Sequence, residues 1–258
     1  MEFTSSSFLI SFVTGLATAI TAGFLGVFMV MRRMSLVSDA LSHVALPGVA
    51  LALIWGVNPF FGAFLFLLLG ALVIAGIEER TNLPVDAIVG VLFSASLALG
   101  ILLTPEPELL EALFGDFTKI TFSEAVASVI FSLAVILVTV LISRRLVFSI
   151  VAPELGHVSK KKTRLANAVF LVMLAAVVAL GIKFVGTLLM GTLTVIPAAA
   201  AKNVSKSLYG FGVTSMVFGG ISVVLGMGAT LLWDVMAGPA VVLASVLIFL
   251  LTLVLKRF

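Results

Sequence analysis

Nine apolar runs, each about as long as a bilayer is thick, dominate this chain: 8–31, 39–56, 60–77, 85–103, 123–143, 165–182, 185–201, 209–232 and 239–255. A helix needs roughly 20 apolar residues to cross the hydrocarbon core. In lipid the backbone must also satisfy its own hydrogen bonds. The runs therefore predict an all-α, polytopic membrane protein with eight to nine transmembrane helices. Lys183 divides the sixth and seventh runs, and eight spans with one re-entrant segment is the alternative count. Only 10% of the 258 residues are charged, against about 25% in soluble domains. Residues 1–258 are read as a single transmembrane domain. The run 8–31 lacks a preceding basic region and a small-residue cleavage site, so it reads as a retained helix. Cysteine is absent, which excludes disulfides and thiolate metal sites.

The loop charges orient the spans. With the N-terminus outside and nine alternating crossings, 13 of the 15 basic residues fall on the cytoplasmic side, leaving Lys119 and Lys183 outside. Such a Lys/Arg bias sets orientation. It places the C-terminus in the cytoplasm and the chain in a cell membrane. The outer loop 104–121 is then acidic, with Glu106, Glu108, Glu111 and Asp116. Trp55 and Trp233 fall at outer helix ends, where indole rings favour the interface. The basic residues lie between apolar runs rather than on one polar face, so nucleic acid is not an expected partner.

Ionisable side chains at a membrane span are costly and are functional candidates by default. Asp39 and His43 stand four residues apart at the start of the second run and share one helical face. A carboxylate oxygen and a neutral imidazole nitrogen suit divalent ions such as Zn²⁺ and Mn²⁺. Two side chains do not complete a coordination sphere, so water, backbone carbonyls or the same pair from a second copy of the chain would have to contribute. The alternative is structural: Ser38 or Asp39 caps the helix and His43 is a buried histidine bonded to a carbonyl. If the helix begins near Ser35, His43 lies about 12 Å along it.

Three further features stand out. Pro47-Gly48 and Pro197 occupy runs of opposite direction, a pattern that marks broken helices beside a transport path. They are therefore candidates for helix breaks and gating. The longest cytoplasmic loop is expected over 144–164. Within it Pro153 and Glu154 suit the first turn of a short helix, continued by Leu155, Gly156, His157 and Val158. Such a helix would dock on a cytoplasmic partner or lie on membrane lipid. Ser215/Gly219 and Ser222/Gly226 form small-residue pairs on one face of the eighth run, which let helices approach closely.

At this point the residues resemble a family. The stretch Arg33-Met34-Ser35-Leu36, Ser38-Asp39-Ala40-Leu41-Ser42-His43 and Leu46-Pro47-Gly48-Val49-Ala50 resembles the signature of permease subunits of bacterial and archaeal zinc/manganese ABC importers. Val185-Gly186-Thr187-Leu188-Leu189 and Val195-Ile196-Pro197-Ala198-Ala199-Ala200-Ala201 resemble that family's second signature. Asp86–Gly90 and Phe114-Gly115-Asp116 are weaker echoes. This chain departs from the pattern at Lys202, where Arg is common, and at Thr192 and Thr194, in a usually more apolar stretch. The resemblance implies a homodimeric permease with two cytoplasmic ATPase subunits and an extracytoplasmic metal-binding protein. It places Asp39 and His43 on the metal-coordinating positions and Pro153–Ser159 on the coupling helix. Zinc or manganese would be the transported substrate, with no permanently bound cofactor.

A GxxxxGK[ST] phosphate loop is absent, so ATP hydrolysis is expected in a partner subunit and not in this chain. An HExxH zinc-protease motif is absent as well. Two other transport classes fit the composition: an ion-coupled secondary transporter, and an ABC permease for a metal chelate such as a siderophore.

Overall fold

The computed structural model describes residues 5–81, 83–104, 112–116, 120–151 and 160–256. Nine helices long and apolar enough to cross a membrane occur among these residues. They are α1 (Ser5–Arg32), α2 (Ser35–Ile54), α3 (Pro59–Arg80), α4 (Val85–Leu103), α5 (Phe122–Val151), α6 (Lys160–Val185), α7 (Thr187–Val204), α8 (Leu208–Trp233) and α9 (Ala237–Lys256).

Local chemistry sets the helix boundaries. The Asn58 side chain accepts from the Phe60 N–H, and Pro59 takes the first position of α3, where its missing N–H costs nothing. Thr121 and Glu124 form a reciprocal cap at the start of α5: Glu124 N–H donates to the Thr121 hydroxyl, and Thr121 N–H donates to the Glu124 carboxylate at 2.8 Å. The turn between α1 and α2 has only two residues. Met34 N–H donates to Met29 O and Arg33 N–H to Val30 O, with Arg33 left-handed at φ 58°. This is a Schellman ending with arginine in the position that glycine usually takes.

Polarity explains part of which helices lie inside, although the apolar α6 is buried as well. Lipid tails are as apolar as leucine, so burying a helix in the bundle shelters its polar groups rather than its apolar ones. The two least apolar spans are α7 (mean hydropathy 1.2) and α2 (1.6), and they pack against each other. Every residue from Ala40 to Ala50 is buried. The more apolar α3, α4 and α9 lie at the periphery with long exposed Leu, Val and Phe faces. α1 packs on α5, α6, α7 and α8, and α2 on α3, α4, α6 and α7.

Close approaches use small residues. Gly48 of α2 and Gly62 of α3 face each other, and a Cβ on either would run into the other's carbonyl. A Cβ on Gly219 would sit 2.6 Å from the Ala19 carbonyl, and the Ser215 hydroxyl donates to the Gly23 carbonyl at 2.6 Å. The first small-residue pair of α8 therefore packs on α1. Gly226 meets Val241 of α9. The predicted stripe is used for packing within the chain.

Three expectations need correction. α2 and α7 run unbroken through Pro47-Gly48 and Pro197, so these residues do not break their helices. The break falls at Gly186, between α6 and α7, where φ is +86° and Leu113 and Phe114 leave no room for a side chain. α5 continues past Arg144 and Arg145 to Val151, and α6 begins at Lys160. Much of the stretch expected as loop is thus helical, because a basic pair ends a membrane crossing without ending the hydrogen-bonded helix. Finally, Ser38 and Asp39 do not cap α2. It starts at Ser35 with no side-chain cap, which places both residues within the helix.

Candidate metal site

Asp39 and His43 lie one turn apart on α2, with α4 on one side and α7 on another. His43 is 3% exposed. Its ring meets Phe93 of α4 edge-on, with centroids 4.7 Å apart. Its Nδ1 is buried without a hydrogen-bond partner, and so is the Ser38 hydroxyl. Other buried hydroxyls of the bundle, such as those of Thr18 and Thr187, also lack a partner, so what sets this place apart is the imidazole nitrogen one turn from a carboxylate. The alternative of a histidine satisfied by a carbonyl does not describe Nδ1. Pro47 stands four residues beyond His43 and has no N–H to offer the His43 carbonyl. A backbone oxygen beside the imidazole therefore lacks its usual helical donor.

α7 closes the site from the other side. A Cβ on Gly191 would lie 2.5 Å from Asp39 Cα and 2.8 Å from its Oδ1. The segments singled out as first and second signatures thus meet at Asp39 and Gly191. The Thr192 and Thr194 hydroxyls donate to Leu189 O and Met190 O of their own helix. They satisfy themselves locally in an otherwise apolar stretch. Among the described residues no group of three or more His, Cys, Asp or Glu side chains gathers around one point. The pair can supply one oxygen and one nitrogen ligand to a divalent ion and leaves the remaining positions open.

Toward the end of α2 that bears Trp55 lies a cavity of about 450 Å³, whose lining includes Val49, Leu53, Asn58, Asp116, Glu124 and Lys183. Neither Asp39 nor His43 lines it. Lys183 Nζ donates to both Glu124 oxygens at 2.7 and 2.9 Å, tying α6 to α5. The Asp116 N–H donates to Lys183 O at 3.1 Å. In the sequence, Lys183 reads as the divider of two runs and Asp116 as part of an acidic outer loop, with nothing to join either to Glu124. The Thr121-x-x-Glu124 spacing was the signal for the cap, whereas the ion pair spans 59 positions and left none.

At the opposite end, Arg32 was read only as a topology signal. Its guanidinium donates to Ser149 Oγ of α5 at 3.1 Å and to Asn167 Oδ1 of α6, and it lies 5.5 Å from the Phe170 ring centroid. Arg33 is exposed. The predicted docking residues Pro153, Glu154, Leu155, Gly156, His157 and Val158 lie outside the described residues.

Among the described residues, nine membrane-length helices form a bundle with a carboxylate and an imidazole on its most enclosed helix, the make-up of a multi-pass membrane protein. Comparison with known proteins narrows this. The ABC 3 transport family matches residues 5–256, and the chain belongs to that family. It is 33% identical over 244 residues to the manganese import system permease protein ScaB of Streptococcus gordonii, covering 93% of this chain and 88% of that one. It is 29% identical over 246 residues to the high-affinity zinc uptake system membrane protein ZnuB of Haemophilus influenzae, covering 93% and 94%. In three dimensions it resembles PsaBC from Streptococcus pneumoniae, solved in complex with Fab, with a TM-score of 0.83 and 30% identity over 95% of this chain and 90% of that one.

Proposed function

We propose that this chain is the permease subunit of an ATP-driven importer for a divalent transition-metal ion, manganese or zinc. The observation that carries the reading is the Asp39–His43 pair, enclosed by α4 and α7 with His43 Nδ1 unpartnered, in a chain whose relatives are named as manganese and zinc permeases. The permease works as a homodimer. Two cytoplasmic ATPase subunits dock near residues 153–158, and an extracytoplasmic metal-binding protein delivers the ion. The N-terminus is outside and the C-terminus cytoplasmic.

The ion moves by alternating access. Asp39 offers charge and an oxygen ligand, and His43 a neutral nitrogen. A sparse site suits transport because the ion must leave as well as enter. Pro47 and Pro197 act within continuous helices. Each removes one backbone hydrogen bond, so the helix bends there more readily.

Uptake of labelled Mn²⁺ and Zn²⁺ tests this reading, in cells co-expressing the chain with its candidate ATPase and binding protein. Asp39→Ala and His43→Ala are compared with wild type at matched membrane levels. ATPase-dependent uptake that is lost in both variants is expected, and the preferred ion is read from the same assay. Normal uptake in both variants would remove the pair from the transport path.

A further inference from the structure

Arg32 is a half-buried cationic side chain that the proposed transport site does not use. It sits on the last residue of α1, at the end of the bundle where α5 finishes and α6 starts. Its contacts are specific. Ser149 Oγ donates its own proton to Leu146 O at 2.7 Å, so toward Arg32 it can only accept. Asn167 presents its carbonyl oxygen, another acceptor. One guanidinium nitrogen, Nη2, makes both bonds, giving one N–H to Ser149 and one to Asn167. The fully buried Phe170 ring supports the cation.

One side chain thus joins the end of α1 to α5 and α6, the two helices that the chain connects through residues 152–159. On its other side Arg32 is two residues from α2. The Schellman turn at Arg33-Met34 has no slack: both of its N–H groups are bonded back into α1, and Met34 is buried. Asp39 follows about 6 Å along α2. A displacement of the α5 and α6 ends relative to α1 therefore reaches Asp39 through bonded, closely packed links rather than through a flexible loop.

We propose that Arg32 is a positioning residue for transport, coupling the cytoplasmic ends of α5 and α6 to the Asp39–His43 pair on α2 without touching the ion. This rests on the importer reading above. It predicts that removing the guanidinium separates ATP hydrolysis from ion movement while leaving the ion site intact.

The test uses the assembled permease–ATPase complex in proteoliposomes with its binding protein. The variants are Arg32→Met, Arg32→Lys and Asn167→Ala. Three quantities are read: ATP hydrolysis, uptake of Mn²⁺ or Zn²⁺ per ATP hydrolysed, and equilibrium binding of the same ion to the purified permease. For Arg32→Met the ions moved per ATP are expected to fall roughly tenfold. Ion binding and complex assembly should stay at wild-type levels. Arg32→Lys should lie in between, because it keeps the charge but not the planar guanidinium over Phe170, and Asn167→Ala should follow the same direction. Unchanged uptake per ATP in Arg32→Met would overturn the proposal. So would a fall in uptake matched by an equal fall in assembly or in ion binding, since Arg32 would then only support the fold. Wild-type complex that moves neither ion with ATP would sink the importer reading itself, and that result appears before any variant is made.

Discussion

Gly191 lies against Asp39 so closely that a single methyl on it would stand 2.5 Å from the Asp39 Cα and 2.8 Å from its carboxylate oxygen. Real Cβ atoms do not approach backbone to this distance. The two helices that carry the polar residues of this bundle are therefore in contact at the very residue expected to hold the ion. The position of Asp39 is set by α7 as much as by α2.

Gly191→Ala should force α7 and α2 apart at Asp39. Overpacking of this kind costs about 1–3 kcal/mol, so the thermal midpoint in detergent should fall and ion uptake at matched membrane level should fall with it. Gly76→Ala and Gly228→Ala are the controls, because a Cβ at either position meets nothing within 4 Å. They should be neutral or slightly stabilising, as Gly→Ala in a helix interior is worth roughly 0.5–1 kcal/mol. Equal behaviour of all three variants would show that the Gly191 contact does not constrain the site.

Arg33 occupies a left-handed backbone position at φ 58°, which costs a residue with a Cβ roughly 1–2 kcal/mol relative to glycine. Its side chain is exposed. Arg33→Gly should therefore raise the thermal midpoint, with a gain in stability of up to about 1 kcal/mol after the added freedom of glycine in the unfolded chain is subtracted. Arg33→Val should lower it. Ion uptake should remain near wild type in Arg33→Gly, in contrast to Arg32→Met one position earlier. A drop in stability for Arg33→Gly would mean that the side chain makes a contact worth more than the strain.

Glu124 has two separable jobs: it caps α5 through the Thr121 N–H and pairs with Lys183 across to α6. The paired side chains are 43% and 41% exposed, and exposed pairs contribute about 0–1 kcal/mol. Glu124→Gln keeps an oxygen for the cap and loses the charge, so thermal unfolding should change little. Glu124→Ala loses both functions and should be the more damaging variant, by roughly a further 1 kcal/mol on the scale of helix caps. Equal losses in the two would assign the stabilisation to the ion pair rather than to the cap.

Much of this molecule is legible in the chain. The nine spans among the described residues and the Asp39–His43 spacing follow from hydropathy and from the 3.6-residue period, which are properties of a single helix. The errors were also local. The prolines at 47 and 197 look like breaks when a helix is considered alone, yet both helices continue, because neighbours in the bundle compensate for one lost hydrogen bond. Arg144 and Arg145 mark where a span leaves lipid, but α5 has no reason to unwind there. Gly186, not Lys183, separates α6 from α7, since the break needs a positive φ and room for the 112–116 segment.

What the sequence determines by itself is which segments can live in lipid and which rare polar groups are sheltered there. The tertiary structure alone decides the rest. It encloses α2, brings Gly191 onto Asp39, buries part of Arg32 among Ser149, Asn167 and Phe170, and leaves Arg33 beside it exposed. Those partners lie 117 to 152 positions away along the chain. The reason is physical: lipid is as apolar as a neighbouring helix, so hydrophobicity can place a helix in the membrane but cannot choose what it packs against. That choice falls to small residues and to a few hydrogen bonds between helices.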